Sequence, residues 1–292
     1  MSAADPLTFV GLTHLMQVTS GLPDVIVGLI DGPVATHLPA FADATLRDLS
    51  AGDATSCSDR SDLACTHGTF VAALLASRRD SGAPGICGGC TLLIRPIFVT
   101  NRNSADDPVA ATPEELARAI CECVDAGVRV INLSVSLDEP SGLPEPALES
   151  ALDYASARGV IVVAAAGNQG SLGSSPVTRH RGVIPVTACD LQGRPQREAN
   201  LAPSIARRGL RAPGHEIPSL TVDGKVESFS GTSAATPFVS GTIALLWSVF
   251  TAATAGEIQA AVLQSARGTR RTIVPPVLDA WRAYETLAAT NV

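Results

Sequence analysis

Four polar residues of this chain have the types that catalysis by a serine nucleophile requires, namely nucleophile, base, orienting acid and oxyanion donor: Asp31, His67, Asn168 and Ser233. A serine that attacks a carbonyl needs a base to take its proton and a third group to fix the tautomer of that base. His67 and Asp31 are of those types. The tetrahedral intermediate needs a hydrogen-bond donor at its oxyanion, which the amide of Asn168, next to Gly167, can supply. Together these residues predict acyl-transfer chemistry.

Each of the four residues also has a purely structural interpretation. Ser233 opens the apolar pattern of residues 233–250, and serine is a preferred helix N-cap. The same place suits catalysis, because free N–H groups and the helix dipole favour a developing negative charge there. Asp31 alone is more often a cap or turn residue, and Asn168 between glycines is common in turns. His67 alone is as easily a helix-start residue without chemistry, so no residue is decisive singly.

Strands alternate with helices along the chain, which predicts a mostly parallel β-sheet with helices on both faces. Continuous apolar runs, typical of buried parallel strands, occupy residues 25–31, 91–98, 128–135, 159–166 and 182–188. Helical patterns occupy residues 67–76, 112–126, 145–158, 233–250, 254–266 and 276–289. Asp31, Ser134 and Asn168 fall at or near strand ends. Functional groups of such sheets collect at the carboxyl ends of strands, so we expect these residues at one edge.

The composition favours a globular α/β protein. The 292 residues allow one large domain or two small ones, and no linker divides them convincingly. Hydrophobic residues make up 46% and charged residues 17%, so a sizeable core is expected. The net charge of −7 argues against nucleic acid or an anionic membrane as the main partner. The first lysine or arginine is Arg47, so no secretory signal is visible and a cytoplasmic protein is expected.

Seven cysteines complicate the expectation of a cytoplasmic protein. Cys57 and Cys65 lie eight residues apart, and Cys87 and Cys90 form a CxxC turn. These two pairs could form disulfides, hold zinc through four thiolates if the loops meet, or stay reduced. No His–Cys cluster has convincing metal-ligand spacing, so neither a metal nor another cofactor is predicted.

Four segments of the chain resemble the motifs of the subtilases, the subtilisin-like serine proteases, in the order of that family. They are residues 27–32 (VGLIDG), 67–72 (HGTFVA), 164–168 (AAAGN) and 231–237 (GTSAATP), and residues 212–214 (APG) match as well. The resemblance runs from about residue 8 to residue 290. It implies a subtilisin-like three-layer α/β sandwich, with a single peptidase domain over residues 1–292 and no prodomain.

The resemblance implies a role for each candidate residue. Ser233 attacks, and His67 acts as general base and then as general acid. Asp31 orients His67, while Asn168 and the backbone N–H of Ser233 form the oxyanion hole. A peptide or protein substrate would add to the sheet as an extended strand. The implied substrate-binding residues are Leu133, Ser134, Val135, Ser136, Ala165, Ala166 and Gly167.

The chain departs from the usual subtilase pattern at several positions. Phe70 and Phe238 stand where subtilases usually carry histidines, and both positions are expected to be structural. Residues 77–82 (SRRDSG) offer too few oxygen ligands for the calcium loop of secreted bacilli enzymes, so no calcium is expected there. Ser136 stands where many members have glycine at the pocket rim. No acid is evident in the pocket-lining segments, so a preference for basic residues is not expected.

These departures resemble one subgroup, the PatA-type subtilases of cyanobactin pathways. Residues 31–34 (DGPV) and 85–98 carry this resemblance. It implies a processing protease that removes a leader peptide from a ribosomally made, modified precursor. Members of the subgroup can carry loop disulfides, which here implies the pairs Cys57–Cys65 and Cys87–Cys90. A general degradative subtilase and an inert peptide-binding scaffold are the alternatives.

Overall fold

A parallel β-sheet of seven strands forms the centre of the structure, a computed structural model that describes residues 5–49, 57, 60–97, 111–134 and 145–290. The strands are β1 (Ile26–Asp31), β2 (Thr45–Asp48), β3 (Thr91–Pro96), β4 (Val130–Leu133), β5 (Ile161–Ala165), β6 (Val183–Cys189) and β7 (Leu210–Pro213). Their order in the sheet is β2-β3-β1-β4-β5-β6-β7, with parallel pairing throughout. Two further strands, β8 (Ile217–Leu220) and β9 (Val226–Phe229), pair antiparallel.

Helices cover both faces of the sheet. They are α1 (Pro6–Phe9), α2 (Leu12–Val18), α3 (Leu63–Ala76), α4 (Pro113–Asp125), α5 (Pro146–Ala157), α6 (Pro176–Arg179), α7 (Pro203–Arg208), α8 (Thr232–Val249), α9 (Ala255–Ser265) and α10 (Ala280–Thr290). A short 3₁₀ helix spans Pro39–Phe41. One buried cluster joins the sheet to α3 and α8, and a second joins the other face to α4 and α5. The architecture is the expected three-layer subtilisin-like α/β sandwich.

The central strand β1 shows why this sequence forms a two-faced sheet. Its side chains alternate between the layers, with Val27 and Leu29 packing toward α3 and α8 and Ile30 toward α4. All three side chains are fully buried, which is the burial that its continuous apolar pattern predicts. The carboxyl ends of β1, β4 and β5 are adjacent in the sheet.

The five predicted strands are present as β1, β3, β4, β5 and β6, with ends that differ by one or two residues where both ends are described. Four described strands were missed: β2 and β7 of the central sheet, and the antiparallel pair β8 and β9. Edge strand β2 carries mostly exposed side chains and therefore lacks an apolar run, and the apolar residues of β7 (LRAP) are interrupted by Arg211. The helix predicted at residues 276–289 begins at Ala280, because Val277 bonds through its backbone to Arg267. Over the described ranges, the structure contains no helix long and apolar enough to span a membrane.

Candidate active site

A hydrogen bond links the side chains of His67 and Asp31, with Nδ1 and Oδ1 2.6 Å apart. Asp31 is the last residue of β1, and its side chain is fully buried. The same Oδ1 atom accepts a second hydrogen bond from the backbone N–H of Gly32 at 2.7 Å. The other carboxylate oxygen, Oδ2, is buried and has no partner among the described residues. The site thus holds a single buried carboxylate against one imidazole nitrogen.

The helix that carries His67 starts earlier than the sequence predicts. Asp62 caps α3 by accepting from the backbone N–H of Cys65 at 3.0 Å, so the helix begins at Leu63. His67 therefore lies in the second turn of the helix, whereas the sequence pattern predicts a helix that begins at His67. The cap and the disulfide of Cys65 both act on the turn that precedes the imidazole.

Two glycines let α3 approach the end of β1 closely enough for the His67–Asp31 bond. A Cβ atom on Gly32 would lie 2.0 Å from the carbonyl oxygen of Ala64, and one on Gly68 would lie 2.3 Å from that of Gly32. Backbone atoms cannot yield to contacts this short. A side chain at either position would therefore push α3 away from the carboxylate.

The environment of His67 sets its protonation. Desolvation lowers the pKa of His67, while the charge of Asp31 and its hydrogen bond raise it, and the net pKa lies above the ordinary value. The side chain of His67 is still 34% exposed, so solvent reaches the ring. Because the carboxylate accepts from Nδ1, the neutral imidazole keeps its proton there, and Nε2 is left as the basic atom.

Ser233 is the second residue of α8, and its side chain is partly buried. Pro237 has no N–H to donate to the carbonyl oxygen four residues earlier, which is that of Ser233. The hydroxyl of Ser134 donates to this free carbonyl at 3.5 Å. Within the described part of the chain, the Ser233 hydroxyl itself has no hydrogen-bond partner. Bonds between nucleophile and base are often long in unliganded enzymes and tighten with substrate.

Asn168 follows β5 and is held by Thr232, a residue that the sequence reasoning did not single out. Its Oδ1 accepts from the backbone N–H of Thr232 at 2.9 Å and from the Thr232 hydroxyl at 3.1 Å. These two donors fix the orientation of the amide, because only the oxygen can accept them. The Nδ2 group is then directed toward the start of α8, where a Cβ on Gly231 would lie 3.0 Å from it. An amide donor beside a helix N-terminus suits an oxyanion.

The described substrate-edge candidates lie at the carboxyl ends of two neighbouring strands. Leu133 ends β4 and Ser134 follows it, while Ala165 ends β5 and is followed by Ala166 and Gly167. The backbone N–H of Gly167 donates to the Thr232 hydroxyl at 3.1 Å, which ties this segment to the start of α8. The other two candidates, Val135 and Ser136, lie outside the described residues.

A buried polar chain behind the edge was also missed by the sequence reasoning. The hydroxyl of Ser240 donates to Oδ1 of Asn132 at 2.8 Å, and Nδ2 of Asn132 donates to the hydroxyl of Ser134 at 2.7 Å. Asn132 and Ser240 are both fully buried. This chain joins the middle of α8 to the end of β4, beneath Ser233.

The structure contains one of the two expected disulfides. Cys57 and Cys65 are bonded, with Cα atoms 5.5 Å apart. Cys87 and Cys90 are free and buried, so the second pairing is corrected. They flank a tight turn closed by a 2.9 Å backbone bond, their two thiols are hydrogen-bonded to each other, and the Cys90 sulfur also lies 3.7 Å from the hydroxyl of Ser248. In the resolved ranges, no three His, Cys, Asp or Glu side chains are grouped as metal ligands.

The departures from the family pattern have structural roles. Phe70 and Phe238 are each 1% exposed and belong to the core, and the Phe70 ring packs on another aromatic ring at 4.3 Å. In the segment of residues 77–82, the guanidinium of Arg78 lies between two carboxylates, 3.3 Å from Asp43 and 2.7 Å from Asp80. In this segment, where secreted subtilases have a calcium loop, the guanidinium of Arg78 supplies the positive charge that the two carboxylates contact.

Comparison with known proteins gives one family match. Residues 23–281 match the model of the subtilase family. The chain is 35% identical over 181 residues to the thermophilic serine proteinase of Bacillus sp. (strain AK1), covering 62% of this chain and 42% of that protein. It is 32% identical over 198 residues to subtilisin DY of Bacillus licheniformis, covering 66% and 67%. The chain spans about half the length of the first curated relatives that it matches, including the thermophilic serine proteinase.

Two similar solved structures cover nearly the whole chain. The protease domain of PatA superposes with a TM-score of 0.84 at 31% identity, covering 92% of this chain and 97% of that one. The prenylagaramide maturation protease PagA superposes with a TM-score of 0.84 at 30% identity, covering 95% and 98%.

Proposed function

This chain belongs to the subtilase family, and we propose that it is a serine endopeptidase whose catalytic residues are Ser233, His67 and Asp31. The observation that carries the proposal is the 2.6 Å bond between His67 and the buried Asp31, at the end of the sheet where the first turn of α8 holds Ser233. That bond fixes the proton on Nδ1 and leaves Nε2 to act as the base. An inert peptide-binding scaffold has no need of a single buried carboxylate aimed at an imidazole.

In the first step, Nε2 of His67 takes the proton of the Ser233 hydroxyl as Oγ bonds to the carbonyl carbon of the substrate. The π electrons of the carbonyl move to its oxygen, which becomes an oxyanion. Nδ2 of Asn168 and the backbone N–H of Ser233 donate to this oxygen. One such donor is worth about 3 kcal/mol in subtilisin. The Asp31 carboxylate stabilises the imidazolium formed at the same time.

In the second step, the oxyanion reforms the carbonyl and the C–N bond breaks. His67 gives its proton to the departing amine, which leaves an ester between the acyl group and Ser233. Water then attacks the ester, with His67 taking a proton from the water and returning it to the Ser233 hydroxyl. The substrate would lie as an extended strand along Leu133 and Ser134, with Ala165, Ala166 and Gly167 lining the pocket.

We further propose that the substrate is a ribosomally made, modified precursor peptide, from which the protein removes a leader. Support comes from the patellamide maturation protease PatA and the prenylagaramide maturation protease PagA, each similar over more than nine-tenths of this chain. The net charge of −7 favours a peptide over nucleic acid as the partner. The cytoplasmic location expected from the sequence stays a prediction, which fractionation of the native cells tests.

The test needs a small precursor peptide, which is sought in the gene neighbourhood of this protein. Cleavage of that peptide by the wild type and by Ser233→Ala is mapped by mass spectrometry, with denatured casein as a second substrate. We expect one cut between leader and core, absent with Ser233→Ala. Equal cleavage by Ser233→Ala would exclude the mechanism. Digestion of casein as fast as the precursor would instead identify a general degradative protease.

A further inference from the structure

One buried amide side chain, that of Asn200, organises the loop that carries Asn168. Its Oδ1 accepts from the backbone N–H groups of Gln169 at 3.1 Å and Ser171 at 3.0 Å. Its Nδ2 donates to the carbonyl oxygen of Ala166 at 3.1 Å and to Oε1 of Gln169 at 2.6 Å. A carboxamide has two donor hydrogens and an oxygen with two lone pairs. All four capacities of Asn200 are therefore used on this loop.

The backbone of Asn200, together with that of its neighbour, also forms hydrogen bonds with this loop. Its N–H donates to the carbonyl oxygen of Gly167 at 2.9 Å, and the next residue along, Leu201, donates to that of Ser171 at 3.1 Å. Gly167 has a φ of +99°, and a Cβ atom there would lie 2.4 Å from Nδ2 of Asn200. The close approach of the Asn200 amide therefore requires glycine at position 167.

Asn168 itself is exposed, and among the described residues its side chain bonds only to Thr232. Its position depends on the backbone to either side. Asn200 bonds to the residue before it, Gly167, and to the residue after it, Gln169. Asn200 is 5% exposed and contacts the loop from the protein interior, on the side away from solvent. It can therefore set the place of the Asn168 amide without touching a substrate.

We propose that Asn200 is a positioning residue that acts through the loop of residues 166–171 to hold Asn168 where the oxyanion forms. The inference rests on the proposed function, since it gives Asn200 a role only if Asn168 is an oxyanion donor. Asn200→Ala removes all four side-chain bonds and leaves the N–H groups of Gln169 and Ser171 without their acceptor. The loop then gains freedom in the two peptide units that flank Asn168.

The expected effect follows from the sensitivity of catalysis to position. A misplacement of about 1 Å can cost about a hundred-fold in rate, so Asn200→Ala should lower kcat by about ten- to a hundred-fold. KM is expected to rise as well, because Asn200 also donates to the carbonyl oxygens of Ala166 and Gly167, which line the proposed pocket, so the inference is tested on kcat in a double-mutant cycle. Loss of general stability alone would change neither value per folded molecule.

The test is a double-mutant cycle on Asn200→Ala and Asn168→Ala, with a peptide p-nitroanilide as substrate. Asn200→Ala is expected to lower kcat in the wild-type background and to change it by less than about two-fold when Asn168 is already alanine. Thr187→Val is the matched control. It removes the 3.3 Å bond from the Thr187 hydroxyl to the carbonyl oxygen of Asn200, in the same buried segment, without touching the loop. Its kcat should stay at the wild-type value.

Each outcome decides between the claims. A loss from Asn200→Ala that is as large with alanine at position 168 as with asparagine would overturn the inference and leave the proposed function standing. No loss from Asn168→Ala would remove both the oxyanion role and the inference. If Asn200→Ala does not fold, Asn200→Ser, which keeps a hydroxyl in the site, is measured in the same cycle. The same criterion applies to it: a loss independent of Asn168 overturns the inference.

Discussion

Replacing Asp31 with asparagine separates the charge of this residue from its hydrogen bonding. Both Gly32 N–H and His67 Nδ1 donate to Oδ1, at 2.7 and 2.6 Å. An N–H at the Gly32 position needs an acceptor, so the asparagine should keep its carbonyl oxygen there. His67 then retains the tautomer with its proton on Nδ1. The amide nitrogen takes the place of Oδ2, which has no partner in the described structure.

The loss from Asp31→Asn is therefore the loss of one charge. Two unit charges about 4 Å apart interact by about 4 kcal/mol at an effective dielectric constant of about 20, which also describes buried sites. That interaction stabilises the imidazolium of His67 in the transition state, so kcat should fall by about 10³-fold. Desolvation, which lowers the pKa of His67, is then no longer opposed by the carboxylate. The acid limb of the pH–rate profile should move to lower pH.

The assay is kcat between about pH 5 and 9, normalised to folded protein. Asp43→Asn is the matched control, because Asp43 is a surface carboxylate that contacts Arg78 and should affect neither rate nor limb. A fall in kcat of less than about ten-fold, or an acid limb that stays in place, would refute the electrostatic role given to Asp31.

Three further predictions concern stability, each read from urea unfolding. The disulfide between Cys57 and Cys65 closes a loop with a sequence separation of eight, so the double variant Cys57→Ser, Cys65→Ser should lose about 2–3 kcal/mol of unfolding free energy. An unchanged urea midpoint would show that the disulfide does not constrain the unfolded chain. Arg270 donates to carbonyl groups at the end of α7, so Arg270→Ala should cost about 1–3 kcal/mol and Arg271→Ala, at an exposed neighbour, almost nothing. Because the pKa of His67 is raised in the folded protein, it contributes stability that is present below about pH 6.5 and is lost as the pH rises through the folded pKa. In His67→Gln, this decrease of the unfolding free energy with pH should be absent.

The parts of the fold that the sequence predicts are those with a local signal. Strands β1 and β5 are apolar on both faces, so their residues form uninterrupted hydrophobic runs. Helix α4 begins with a capping box between Thr112 and Glu115, a pair three residues apart that can be recognised in the sequence. Strand β2 has no such signal, because its place at the sheet edge leaves most of its side chains exposed. Its last two residues, Arg47 and Asp48, are charged, so its sequence contains no apolar run.

The candidate site divides in the same way. Asp31, His67 and Ser233 are recognisable by residue type, order and flanking motif. The residues that hold them are not, since their roles depend on contacts distant in sequence. Asn200 bonds to Gln169 across 31 positions, and Ser240 bonds to Asn132 across 108. No local pattern reports such a contact, so these supporting groups become visible only in the folded chain.

The central claim is that the Ser233 hydroxyl is the nucleophile, and covalent labelling tests it most directly. The folded protein is treated with a fluorophosphonate, which phosphorylates an activated serine, and the adduct is located by mass spectrometry of the digested protein. Ser233→Ala and the exposed-site control Ser150→Ala are treated in parallel. We predict one adduct, on Ser233, that disappears in Ser233→Ala and persists in Ser150→Ala. A folded wild-type protein without an adduct, or labelling that survives Ser233→Ala, would contradict the account.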